Sequence, residues 1–303
     1  MACAAAGWLA MLSCFMVSTP SAQLLHSPHE AGASAAGAAE CSLFVLGGKG
    51  RILRAGMRCT GPQPAIALAS QHMNAFKENF TGVAIASSSC NGTSRNASSC
   101  LLTICSGRLV FRRSSVSWVR GIPLETVVCV VGDSMLEVHD SSFSQNRARA
   151  LAVLDQAHVV LNASAVSNNS VVGSGGGIWI EGGAHVTITG RSRVHGNTAS
   201  PEDILIDDDV GLMMQGLCNY LPCLGRGGGL VAKGLAVLTV DGNSSVSRNT
   251  AEISGGGLAV FEAASVIFTG GSTVHNNAPE GLWVEGNSTV TLTGASSVYN
   301  SRK

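Results

Sequence analysis

Two tryptophan–glutamate pairs, Trp179-Ile-Glu181 and Trp283-Val-Glu285, are the residues of this 303-residue chain whose types and spacing most suggest contact with a ligand. Lys233 and Phe261 fall at equivalent places between them in the repeat set out below. Flat aromatic rings beside charged groups suit sugar stacking or a protein partner. Paired carboxylates also suit glycoside cleavage, provided they lie about 5 to 9.5 Å apart. Other candidate chemistry lies in His158 with His185, in His195 with His275, and in the acidic run Asp203, Asp207, Asp208 and Asp209.

What positions these residues is a repeat of about two dozen residues. Seventeen residues separate Gly177 from Val194, and the same interval separates Gly229 from Val246, Gly257 from Val274 and Gly281 from Val298. Asparagine follows three residues on in Val194/Asn197, Val246/Asn249 and Val274/Asn277, and Phe143/Asn146 and Val166/Asn169 extend the series backwards. From that asparagine to the next glycine the spacing varies freely, from four residues (Asn277 to Gly281) to thirty-two (Asn197 to Gly229). A fixed period with insertions at one corner is the mark of a solenoid whose turns stack and whose loops leave one edge.

Within each turn the period is two: Ile178/Ile180, Val186/Ile188, Leu238/Val240, Leu258/Val260, Val266/Phe268, Leu282/Val284 and Val290/Leu292 alternate with other residues. Short alternating β-branched segments punctuated by Gly, Ser and Asn predict three strands per turn. The fold class expected is therefore all-β, a right-handed parallel β-helix of about eight coils, with an irregular N-terminal cap over Cys41 to Gly61 closing its open end.

The residues resemble a known family. Phe143-Ser-Gln-Asn146 and Phe76-Lys-Glu-Asn79 match the F-x-x-N half of the polymorphic outer-membrane-protein repeat, and Gly175-Gly-Gly-Ile178, Gly227-Gly-Gly-Leu230 and Gly255-Gly-Gly-Leu258 are similar to its G-G-A-I/L/V half. Glycine stands where the family has alanine, and most of the F-x-x-N sites carry valine. The resemblance spans roughly Phe76 to the C-terminus and implies a secreted right-handed β-helix of the pectin-lyase-like class, used for adhesion rather than catalysis.

On such a helix the outward positions of the glycine-led strands are Ala152/Leu154, Trp179/Glu181, Val231/Lys233, Ala259/Phe261 and Trp283/Glu285. This makes Trp179, Glu181, Lys233, Phe261, Trp283 and Glu285 a candidate ligand-binding stripe. Glu181 and Glu285 are three turns apart, roughly 14 Å at 4.8 Å per turn, which is too far for a glycosidase pair. Lys233 beside Glu181 reads as a cross-strand ion pair. The alternative occupant of the stripe is a neighbouring segment of the chain itself.

Asn146, Asn169, Asn197, Asn249 and Asn277 share one corner and read as an inward structural ladder, since none of the five lies in an N-x-S/T acceptor. His195 and His275 are two turns apart, roughly 10 Å, while His158 and His185 are in adjacent turns without a third ligand, so no metal is expected. Asp207, Asp208 and Asp209 are the one place where oxygen ligands could gather for calcium, and a solvated loop is the preferred reading. No other cofactor is expected.

Charged residues make up 13% of the chain and the formal net charge is zero, which argues against a nucleic-acid partner. Ala4 to Val17 is an apolar run followed by the small residues Ser18 to Ala22, so residues 1–22 read as a signal peptide, with no membrane span after its removal. Residues 23–64 read as a flexible lead and cap, and 65–303 as the β-helix with an insertion at 198–226. Seven N-x-S/T acceptors (Asn79, Asn91, Asn96, Asn162, Asn168, Asn243 and Asn287) suit a glycosylated, exported chain. Loss of Cys3 and Cys14 with the signal leaves eight cysteines, an even number suited to disulfides. Cys218 and Cys223 are placed to clip the insertion, and Cys105 and Cys129, one turn apart, could face each other. The pairing of Cys41, Cys59, Cys90 and Cys100 stays open.

The expectation is a secreted, non-catalytic surface or matrix binding protein. Its partner would be an extracellular glycan or a cell-surface protein, with end-to-end self-association through uncapped coils possible in principle. The alternative is a polysaccharide lyase or glycoside hydrolase of the same fold class.

Overall fold

A computed structural model describes residues 39–48, 51–60, 65–68, 80–81, 84–86, 100–119, 125–200 and 225–299. The signal segment, Asp203, Asp207, Asp208, Asp209, Cys218, Cys223, Asn79, Asn91 and Asn96 lie outside the described residues. The described elements are all strands.

Three long columns of parallel strands make up the stack, and a short fourth of Ser170–Val172, Thr198–Ser200 and Thr250–Ala251 follows the third. The first holds Cys100–Ser106, Thr126–Val130, Arg149–Val153, Ile178–Ile180, Leu230–Ala232, Leu258–Val260 and Leu282–Val284. The second holds Arg108–Arg112, Met135–His139, His158–Asn162, His185–Thr189, Val237–Val240, Ser265–Phe268 and Thr289–Leu292. The third holds Ser115–Ser117, Ser142–Ser144, Ala165–Ser167, Arg193–His195, Ser245–Ser247, Thr273–His275 and Ser297–Tyr299. Seven strands per long column are joined by six steps, so the parallel β-solenoid rises through about six turns rather than eight.

Register explains the fixed seventeen-residue interval. Phe143 pairs with Val166, Val166 with Val194, Val194 with Val246, Val246 with Val274 and Val274 with Val298. The first five of these side chains are at most 1% exposed. Each stacks on its equivalent one coil away in a single apolar core shared by all three columns. Complete burial of such a side chain contributes about 1.5–3 kcal/mol, and a strand slipped by one residue would turn it outwards.

Between residues 65 and 100, where further coils are expected, the described residues do not continue the three columns. Ala65–Leu68 forms a strand, but it runs antiparallel to Cys100–Ser106 at the edge of the first column and parallel to Ala84–Ala86. Period-two alternation reports which face of a strand is buried and carries no information about its direction. The N-terminal end also differs from an irregular cap. Ala39–Gly48 and Arg51–Thr60 form an antiparallel hairpin tied by the Cys41–Cys59 disulfide. Its first strand pairs in parallel with Arg108–Arg112 and with Ser115–Ser117. The hairpin thus occupies the open backbone edges of the first coil, and Glu40 pairs with Arg112 across that junction.

Candidate binding surfaces

The corners decide which side chains remain available outside. After the third column, Asn146, Asn169, Asn197, Asn249 and Asn277 point inward, each at most 1% exposed. Each side-chain amide donates to the Oδ1 of the next: Asn146 to Asn169 at 2.8 Å, Asn169 to Asn197 at 2.9 Å, Asn197 to Asn249 at 3.0 Å and Asn249 to Asn277 at 3.0 Å. The second amide hydrogen goes to a backbone carbonyl, Val166 for Asn197 and Val194 for Asn249. Each of these Oδ1 atoms also accepts the backbone N–H of the asparagine one coil before it.

A second ladder occupies the corner between the second and third columns. Ser114 N–H donates to Ser141 Oγ at 2.9 Å, Ser141 to Ser164 at 3.2 Å, Ser164 to Ser192 at 3.0 Å and Ser192 to Ser244 at 3.1 Å. The signal for it lies in the sequence, where serine stands two residues before every third-column valine or phenylalanine: Ser114, Ser141, Ser164, Ser192, Ser244, Ser272 and Ser296. With both corners satisfied internally, recognition falls to the outward side chains of the strands.

On the first column those side chains change character along the stack. Cys129, Val131, Ala152 and Leu154 are buried in a separate apolar cluster against which Trp179 packs. Cys129 is bonded to Cys100, at a Cα separation of 6.0 Å, and not to Cys105, which forms a disulfide of its own. In the next four coils Trp179, Val231, Ala259 and Trp283 stand in register. Val231 and Ala259 are fully buried, Trp179 is half-buried and Trp283 is 40% exposed. The glycine turns cause this: a Cβ on Gly175 would touch the Trp179 ring at 3.3 Å, so the turn lies over the strand's outer face. The six-residue stripe is therefore interrupted, and its most accessible ring is Trp283.

Each charged member of that stripe has a partner. Trp179 Nε1 donates to Glu181 at 3.0 Å, and Lys233 Nζ lies 3.3 Å from Glu181 and 3.5 Å from Glu262. Burial alone would lower the Lys233 pKa; the two carboxylates outweigh it and raise the group above its ordinary value. Trp283 Nε1 donates to Glu285 at 3.3 Å, and Arg226 binds the same carboxylate at 2.9 Å while its guanidinium lies 5.4 Å from the Phe261 ring centroid. Arg149 covers Trp179 at 5.1 Å and donates to Ser174 O at 2.7 Å and Gly175 O at 3.1 Å. Burial lowers its pKa to about 10, against the pull of Glu125 and Glu181, and leaves it cationic at neutral pH.

The outer face of the third column is different. Arg193, His195, Ser245, Ser247, Arg248 and His275 line a cleft of about 240 Å³. It adjoins through Arg193 a broader depression of about 510 Å³ lined by Asp140, Ser142, Ala165 and Arg191 among others. His195 is held below its ordinary pKa by burial and then by Arg193 and Arg248; His275 is lowered by burial and then by Arg248. On the second column the His158 and His185 rings stack at 4.8 Å, and burial followed by the His158 charge lowers His185.

Of the glycosylation acceptors among the described residues, Asn168, Asn243 and Asn287 are exposed and Asn162 is half-buried. Among the described residues no group of three or more His, Cys, Asp or Glu side chains is placed to hold a metal ion, and no helix is long and apolar enough to cross a membrane. The Cys41–Cys59 and Cys100–Cys129 disulfides fit an oxidising compartment. Compared with known proteins, the chain matches no family model, no curated protein and no solved structure.

Proposed function

We propose that this chain is a secreted, glycosylated, non-catalytic surface or matrix binding protein that presents an extracellular glycan or cell-surface protein with the side of a β-solenoid. In this reading residues 1–22 direct export, and the coils wind right-handed as in the polymorphic outer-membrane-protein repeat and the wider pectin-lyase-like class. The observation that carries the reading is the state of the outward carboxylates. Glu181 is engaged by Trp179 and Lys233, and Glu285 by Trp283 and Arg226. Their strands are three register steps apart, roughly 14 Å. Groups so tied are suited to orienting two indoles and unsuited to delivering a proton to one glycosidic oxygen.

The test is a pair of single variants on the secreted protein. Trp283→Ala removes the exposed ring and is expected to weaken binding to the glycan or surface ligand about tenfold, with thermal stability nearly that of the parent. Trp179→Ala removes a half-buried ring under the Gly175 turn and is expected to cost about 2 kcal/mol of stability. Parental binding of every ligand by Trp283→Ala would overturn the role of this face.

A further inference from the structure

We infer that the outer face of the third column, from Arg191 to His275, is a second site of different chemistry, which binds a sulfated, polyanionic polysaccharide lying along the stack. Arg191 and Arg193 project from one coil and Arg248 from the next, and all three are exposed. None of the three has an ion-pair partner among the described residues, in contrast to Lys233 and Arg226 on the first column. In a chain of zero formal net charge, three neighbouring arginines are thus gathered on one face, with Asp140 the one acidic residue lining the adjoining depression.

The floor beneath these arginines has the shape and chemistry of a bed for a chain. Ser142, Ala165, Arg193, Ser245 and Thr273 stand in register across four steps, roughly 19 Å of surface. Apart from Arg193 they are small, and three of the five carry hydroxyls that donate to or accept from sugar hydroxyls. At the upper end His275 stacks on Tyr299 at 5.2 Å with the rings 10° from parallel, and Tyr299 is 44% exposed, which leaves a flat apolar face for a pyranose ring. Guanidinium forks match the planar recognition of sulfate and carboxylate groups. Three arginines over this length fall short of the six to ten phosphate contacts typical of proteins whose affinity rests on a nucleic-acid backbone. The hydroxyl-lined floor therefore favours a glycan.

Acidification should strengthen this site. The charged or titratable groups facing His195 are Arg193 and Arg248; Arg248, Tyr299 and the amide of Asn276 face His275. The flanking strands Ala165–Ser167 and Ser245–Ser247 bring no ionisable side chain. Both histidines are held below their usual range, so they are neutral at pH 7.5 and add positive charge to the cleft in acid.

The experiment measures binding of the full secreted chain to heparin, to chemically desulfated heparin and to duplex DNA at 150 mM salt. The parent is compared with Arg191→Ser/Arg193→Ser/Arg248→Ser and with Trp283→Ala. The site predicts binding to heparin, at least tenfold weaker binding to the desulfated polymer and to DNA, and at least a tenfold loss in the triple variant. It also predicts tighter parental binding at pH 5.5 than at 7.5, and no change on this ligand for Trp283→Ala. Because Trp283 lies on the other face, its result bears on the proposed function without touching this inference. Heparin binding retained within twofold by a folded triple variant, equal affinity for the desulfated chain, tighter binding of DNA, or no heparin binding by the parent would each overturn it.

Discussion

Gly229 and Asn249 occupy the same layer of the solenoid so closely that a Cβ on the glycine would stand 2.8 Å from the asparagine Nδ2 and 2.6 Å from the carbonyl oxygen of Gly257, one coil on. The same contact recurs between Gly257 and Asn277. The glycine anchor and the asparagine that identify the repeat are thus two sides of one packing contact, at the corner where chain length varies. Gly229→Ala is expected to destabilise the protein by more than about 3 kcal/mol, because backbone and a buried ladder must both move. Gly107→Ala is the control: a Cβ there meets nothing within 4 Å, and only its φ of 77° is unfavourable, at about 1 kcal/mol. Urea unfolding of the two variants separates the effects, and similar losses would contradict the layer contact.

Asn197 bridges the insertion, since its ladder partner Asn249 is 52 residues away in sequence. Asn197→Ala strands the buried N–H and amide of Asn169, which both donate to Asn197 Oδ1, and removes a donor to Asn249. A loss of about 3 kcal/mol is expected, in the range for two unsatisfied buried donors. Replacement of exposed Ser170 by alanine should change stability by less than about 0.5 kcal/mol. A neutral Asn197→Ala in denaturant unfolding would mean that the ladder does not hold the corner.

Stability should fall in mild acid. His185, His195 and His275 have folded-state pKa values below the ordinary value, with burial the first cause in each case. The unfolded chain therefore binds more protons around pH 6, and their contribution, complete above about 6.5, declines as pH drops through that value. Thermal unfolding at pH 7.5 and pH 5 checks the sign. His185→Gln, which ends the repulsion across the 4.8 Å stack with His158, should flatten the slope. A midpoint that rises on acidification would refute the assignment.

Much of the fold was legible because a solenoid repeats its packing contacts. One interval from Gly177 to Val194 fixes one register, and its recurrence from Gly229 to Val246 places those valines in one column. The direction of Ala65–Leu68 was not legible, because it alternates like its neighbours while running the other way. The accessible surface was harder to read. Alternation sets Trp179 on the outer side of its strand but says nothing of the Gly175 turn that folds over the ring. Arg191, Arg193 and Arg248 form no basic run, since an insertion separates Arg248 from the others in sequence and only stacking returns it to their side. The serine ladder was present as a fixed offset, yet serine is common in this chain and its hydrogen bonds appear only once adjacent coils are in place.

The most direct test of the central claim, binding without catalysis, is to incubate the purified protein with a panel of acidic and neutral polysaccharides, with and without calcium, and to measure in each mixture both bound protein and newly formed chain ends. The account predicts saturable binding to at least one polymer and no increase in reducing or unsaturated ends over buffer. New ends that accumulate in proportion to protein concentration would contradict it and would establish a polysaccharide-cleaving enzyme on this solenoid.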